Sequence, residues 1–207
     1  DWQPAEPKLP VIGTPEMNSG KQVLLAKKQV SQSVIRMGHL GLEKNNPDQY
    51  AVRVMDYILG GGFTSRLMQQ IRSDRGLAYF AGSRYDIGRR FPGIFQAQTE
   101  TKAGSTVEVI SLINDIITGM TKELVSEEEL NQAKESIINS FIFGFARADY
   151  IVTQQARLDY YDFPAGYLEN FRENIAKVSR EDVLRAAKKY LHPEALTILV
   201  VGDDKKF

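Results

Sequence analysis

The 207-residue sequence contains no cysteine and only two histidines, His39 and His192. The absence of cysteine excludes disulfides, thiolate metal sites, iron–sulfur clusters and cysteine nucleophiles. A catalytic zinc site usually takes three protein ligands, and neither His-Glu-x-x-His nor His-x-x-Glu-His occurs. We therefore expect no metal site and no cofactor in this chain, with His39 packed in the core and His192 at a helix end.

The chain also lacks net charge, because 26 lysines and arginines balance 26 aspartates and glutamates. This balance provides no long-range field for nucleic acid or anionic lipid, so we expect no nucleic-acid partner. No apolar run approaches the roughly 20 residues that span a bilayer, so we expect no membrane insertion. Gly-x-Ser-x-Gly, the motif of many serine hydrolases, is absent as well.

The sequence begins with a proline-rich stretch that has prolines at positions 4, 7, 10 and 15. This composition is typical of an extended linker. We predict an inter-domain linker over residues 1–18 and one folded domain over residues 19–207, which lets the chain start in the middle of a longer protein. Composition does not settle the compartment, and a bacterial periplasmic location is our expectation.

Alternating and apolar segments predict five strands, over residues 22–26, 33–40, 78–85, 93–101 and 196–201. Helical patterns lie between the second and third strands and between the fourth and fifth. Ser126 and Ser179 each begin a capping box, with an acidic residue three positions later. The order of elements predicts an α+β domain with helices packed on one face of a mainly antiparallel sheet.

Three glycines, Gly60 to Gly62, interrupt the helical pattern before a second helix. A Walker loop would place Gly-Lys-Ser/Thr after its glycines, whereas Phe63 follows here, so we expect a tight helix–helix turn that uses positive φ. Thr64 is the predicted N-cap of the second helix, with Phe63 packed on Met68. Gly76 is expected to end that helix in the left-handed conformation.

Arg72 and Tyr79 lie between the end of this helix and the start of the next strand. Arginine offers a planar fork of donors and tyrosine a single hydroxyl. Held together at the rim of a sheet, such donors could bind a peptide carbonyl or stabilise a developing oxyanion. The spacing alone favours the simpler interpretation of a surface arginine and a packed tyrosine.

The segment ILGGGFTSRLMQQIRSDRGLAY resembles the signature of the second homologous half of the insulinase/pitrilysin family of zinc metallopeptidases, which includes mitochondrial processing peptidase. QSVIRMGHLGL and NNPDQYAVRVMDYILGGG precede it in the family's order. VSEEELNQAKESI and VSREDVLRAAKKYLHPEALTILVVGD follow it, so the resemblance covers residues from about 22 to 203.

The resemblance implies one half of a clam shell, in which two homologous α+β domains face each other across a cavity. The first domain carries the zinc ligands and the base, and the second supplies an arginine and a tyrosine seven residues apart. Arg72 and Tyr79 match that spacing and would bind peptide substrate. The chain itself is then expected to hold no catalytic residue and no metal, and to hydrolyse no peptide alone.

The zinc-bearing partner domain would lie upstream in the same protein or in a separate subunit. The alternative is a non-catalytic interaction or scaffold domain of the same fold, like the core subunits of respiratory complexes. In that case Arg72 and Tyr79 serve packing only.

Overall fold

The computed structural model describes residue 10 and residues 12–207, so most of the predicted linker lies outside the described residues. Residues 12–18 form neither helix nor strand, and their side chains are exposed. Five strands form one sheet: β1 (Gln22–Lys27), β2 (Gln32–Leu40), β3 (Ala78–Tyr85), β4 (Ile94–Lys102) and β5 (Thr197–Gly202). The longer helices are α1 (Gln49–Asp56), α2 (Thr106–Met120), α3 (Glu127–Gly144), α4 (Ala148–Tyr160), α5 (Phe171–Lys177) and α6 (Arg180–Tyr190).

The strands lie in the order β1-β5-β2-β4-β3. Only the pairing of β1 with β5 is parallel, and the other three pairings are antiparallel. The prediction of a mainly antiparallel α+β sheet is confirmed. The apolar run predicted as the fifth strand forms β5, which lies between β1 and β2.

One face of the sheet packs against helices and the other is open. In β2 the side chains of Ile35, Met37 and His39 are buried, whereas Arg36 between them is exposed. Strand β4 alternates in the same way, and the side chains of Phe95, Ala97, Thr99 and Thr101 face the core. Helices α1, α2 and α6 contribute most of the apolar side chains that cover the buried face. The period of two therefore divides the sheet into a dry face and an open face.

The prediction for the glycine triplet was wrong in its mechanism. Helix α1 continues as π-helical turns over Tyr57–Gly61, and none of the three glycines has positive φ. A Cβ on Gly60 would lie 2.1 Å from the amide nitrogen of Ser83 in β3. Gly60 is therefore required because the helical backbone approaches the strand backbone, a close contact that only glycine permits.

The second helix begins one residue later than predicted. The amide of Gln69 donates to the carbonyl of Ser65 at 2.8 Å, which places the N-cap at Ser65 rather than at Thr64. Phe63 is 81% exposed, so the expected packing of its ring on Met68 is absent. Gly76 has a φ of 61° and ends the helix as predicted.

Both predicted capping boxes are present. Ser126 accepts from the amide of Glu129, whose carboxylate accepts from the amide of Ser126, and Ser179 and Asp182 repeat the arrangement. Glu129 also accepts two hydrogen bonds from Arg66, at 2.6 and 2.9 Å. The start of α3 is thereby joined to the start of the helix that carries Arg72.

Candidate functional site

Arg72 lies on a π-helical segment, Met68–Ser73. In this wide turn the amide of Asp74 donates to the carbonyl of Gln69, five residues back. The amide of Gly76 then donates to the Arg72 carbonyl at 3.1 Å, and the amide of Leu77 to the Ile71 carbonyl at 2.9 Å. These bonds fix the backbone of Arg72 relative to the start of β3.

Tyr79 lies at a bulge in β3. Ala78 pairs with Thr101 and Ala81 with Thr99, so β3 has one more residue than β4 over this stretch. The hydroxyl of Thr101 donates to the carbonyl of Leu77, and that of Thr99 to the carbonyl of Phe80, each at 2.7 Å. Two buried threonines thus hold the backbone on both sides of Tyr79.

The structure brings the two predicted site residues together. The guanidinium carbon of Arg72 lies 5.2 Å from the centre of the Tyr79 ring, within the range of a cation–π contact. Tyr79 is 87% exposed, and Arg72 is half-buried. In the described part of the chain neither side chain donates a hydrogen bond. Both therefore present unused donors on a rigid backbone, in contrast to the packed tyrosine that spacing alone favoured.

Beside this pair, a groove of about 450 Å³ lies over the open face of the sheet. Strands β2 and β4 form its floor, and the segment from Gly76 to Phe80 forms one wall. Tyr79 lines the groove, whereas Arg72 stacks behind it and is not part of the lining.

The two histidines are engaged with each other. His39 is 7% exposed, and its Nδ1–H donates to the Leu40 carbonyl at 2.7 Å. Its Nε2 accepts from the amide of His192 at 3.2 Å, so both ring nitrogens have partners. Burial lowers the pKa of His39 to about 4, which keeps the ring neutral. Over residues 12–207 the side chains form no cluster of three or more His, Asp or Glu able to bind a metal ion.

Sequence reasoning missed a buried carboxyl that positions β3. Asp56 ends α1 and accepts from the Ser83 hydroxyl at 2.6 Å and from the Tyr85 amide at 3.0 Å. Burial raises the pKa of Asp56 to about 6 despite these two bonds. Its position four residues before Gly60, within a mostly apolar stretch of the helix, was the available signal for burial.

Thr99 and Thr101 were also missed as positioning residues. They alternate with polar residues in a strand, a pattern that any half-buried strand shares. Only the register of β4 against the bulge reveals what their hydroxyls do.

No described helix is both long and apolar enough to cross a bilayer.

Comparison with known proteins places these features in a family. Residues 1–137 match the sequence profile of the Peptidase M16 inactive domain. The chain is 24% identical over 187 residues, 90% of its length, to an uncharacterized zinc protease of Streptomyces coelicolor. It is 25% identical over 154 residues, 74% of its length, to a protein of Helicobacter pylori named non-peptidase homolog YmxG.

The crystal structure of a peptidase M16 inactive domain from Pseudomonas fluorescens superposes with a TM-score of 0.87 at 28% identity. The match covers 96% of this chain and 47% of that one. The chain likewise spans 40% of the Streptomyces relative and 35% of the Helicobacter relative.

Proposed function

Because this chain belongs to the peptidase M16 inactive-domain family, we propose that it is the substrate-binding, non-metal half of a zinc-dependent endopeptidase. The zinc ion and the base that activates water would belong to a homologous partner domain. That domain would be joined upstream through the linker of residues 1–18 or would form a separate subunit. This chain alone would then hydrolyse no peptide, because it supplies no metal-activated water.

The observation that carries this proposal is the exposed Arg72–Tyr79 pair. The Tyr79 ring offers apolar surface beside its hydroxyl, and the guanidinium of Arg72 stacked on the ring adds a second kind of donor at the same point. When the two halves close, the phenol and the guanidinium would hold the scissile segment of the peptide. Fixed donors can stabilise charge on a carbonyl oxygen in the transition state without reorganisation.

A substitution experiment in the assembled, zinc-containing protein tests this role. We expect Arg72→Ala or Tyr79→Phe to lower kcat for a quenched fluorescent peptide by roughly 100-fold, as for the loss of one oxyanion donor. Arg84→Ala is the matched control, because Arg84 is an exposed arginine of β3 that pairs with Asp86 outside the groove. Tyr160→Phe, on an exposed tyrosine of α4, controls for loss of a phenol. Unchanged turnover in both site variants would contradict the proposal.

The second candidate is a non-catalytic scaffold or interaction domain. The Helicobacter pylori relative, which is named a non-peptidase homolog, favours it. The partner half discriminates the two functions, since a peptidase requires an intact His-x-x-Glu-His there. If the partner lacks that motif and the assembled protein hydrolyses no peptide, the scaffold function replaces the catalytic one.

A further inference from the structure

The groove beside Tyr79 carries an excess of positive charge. Arg36 on β2 and Lys102 on β4 line it, and Arg72 stands at its rim behind the Tyr79 ring. Glu100 is the single carboxylate of the lining. Across the described residues none of these three cations lies within 4 Å of a carboxylate oxygen. The cations therefore remain available to a ligand.

The strand register places Glu100 between the two cations that line the groove. Glu100 lies opposite Val34, so Arg36 is its diagonal neighbour across the strand pair, and Lys102 is two residues further along β4. Both positions are about 7 Å away between Cα atoms in a regular sheet. Arg36 and Lys102 therefore lie on opposite sides of Glu100, four residues apart along the sheet. A peptide that ran along the groove would pass one cation on each side of Glu100.

The walls of the groove suit a peptide residue rather than a bare ion. Tyr79 is 87% exposed and Phe80 is 47% exposed, so both rings offer apolar surface beside the charged floor. The side chain of Gln98, opposite Arg36, supplies an amide on the same face. The aliphatic part of a Glu or Asp side chain would then contact the aromatic rings, and its carboxylate would contact the polar and charged floor. Because the whole chain has no net charge, no wider field would attract a polyanion.

We infer that this groove is a specificity subsite for an acidic side chain, Asp or Glu, of an extended peptide, held by Arg36 or by Lys102. The inference rests on the proposed function and names the substrate class of the same site. A charge-assisted hydrogen bond from the guanidinium or from the ammonium would select the carboxylate over the amide of equal size.

Peptide binding to the chain tests the subsite independently of catalysis. Two fluorescein-labelled peptides of alternating Thr and Val would differ at one central position, Glu in one and Gln in the other, and anisotropy would give Kd. At low salt we expect the Glu peptide to bind roughly 5-fold more tightly, as for an ion pair near a protein surface. The ratio should decline as salt rises.

Three variants sharpen the test. The double change Arg36→Gln and Lys102→Gln alters only groove side chains on the open face and should bring the ratio to about 1. Glu100→Gln removes the competing carboxylate and should increase the ratio. Arg90→Gln, at an exposed arginine bonded to Tyr160 away from the groove, should leave it unchanged.

Equal binding of the two peptides, binding of neither at millimolar concentration, or a ratio that survives the double change would each overturn the subsite. Its failure is distinguishable from failure of the proposed function. A lost Glu preference with slow turnover in Tyr79→Phe would overturn the subsite alone. A retained preference with normal turnover in Tyr79→Phe would overturn the role of the tyrosine alone.

Discussion

The two halves of strand β3 have opposite environments. From Ala81 to Tyr85 the strand is sealed against the end of α1, where Gly60 touches its backbone and Asp56 accepts two of its hydrogen bonds. From Ala78 to Phe80 the strand bulges, and Tyr79 stands in solvent. The fold therefore fixes one half of an edge strand by close packing and leaves the side chains of the other half exposed beside the bulge.

The largest expected loss of stability comes from a substitution at the tightly packed half of β3, Ala81 to Tyr85. Gly60→Ala places a Cβ 2.1 Å from the Ser83 amide nitrogen, a backbone atom that cannot rotate away. We expect the free energy of unfolding to fall by about 3 kcal/mol, at the upper end for an overpacked site. Urea denaturation measures the change.

Gly119→Ala provides the matched control. Gly119 lies in α2, where an added Cβ meets no atom within 4 Å. Alanine there should raise stability by about 0.5 to 1 kcal/mol, because it is the better helix former. Similar effects of the two substitutions would show that close approach is not what requires Gly60.

A pH experiment separates the carboxyl that seals β3 from the buried histidine. The folded pKa of His39, about 4, lies below its ordinary 6.5, so acidification between these values favours the unfolded chain. The folded pKa of Asp56, about 6, lies above its ordinary 3.8, so acidification over that window favours the folded chain. The two slopes have opposite sign and nearly cancel in the native protein.

Asp56→Asn should therefore expose the histidine slope. We expect its stability to fall by about 2 kcal/mol from pH 6.5 to 4.5, while the native protein changes by less than about 1 kcal/mol. His39→Gln should show the reverse slope, with stability rising by about 2 kcal/mol over the same window. Parallel pH profiles for all three proteins, from urea denaturation, would contradict the assignment of both groups.

The smallest expected loss of stability comes from substitutions that affect the exposed half of β3, Ala78 to Phe80. Thr99→Val and Thr101→Val each remove a hydroxyl that bonds to a carbonyl beside Tyr79. We expect each to lower stability by about 1 kcal/mol, the usual contribution of one hydrogen bond, and to speed amide exchange around residues 77–80. Thr153→Val, whose hydroxyl bonds to the Asp149 carbonyl on exposed α4, should change stability by less than about 0.5 kcal/mol. Equal losses at all three threonines would contradict a specific role at the bulge.

The features that could be predicted from the sequence are those with local causes. A serine and an acidic residue three positions apart are sufficient to form the caps at Ser126 and Ser179. Gly76 adopts the positive φ that the end of its own helix requires. The strands follow from alternation that each segment contains within itself.

The features that were predicted wrongly or missed depend on distant partners. Gly60 is required by Ser83, and Asp56 bonds to the same residue. The apolar stretch around Asp56 could suggest its burial, but no local pattern identifies β3 as the partner. Thr64 and Ser65 are both acceptable N-caps by residue type, and the helical hydrogen bonds begin at the second. Family resemblance named Arg72 and Tyr79, but their seven-residue spacing could not supply the stacking at 5.2 Å, which depends on the bulge.

Reconstitution tests the central claim most directly. Hydrolysis of a quenched fluorescent peptide would be measured for this chain alone, for the zinc-bearing half alone and for the two together, with zinc content determined in each sample. We expect no activity and no stoichiometric zinc in this chain, and turnover that requires both halves. Zinc-dependent hydrolysis by this chain alone, or full activity of the other half without it, would contradict the account.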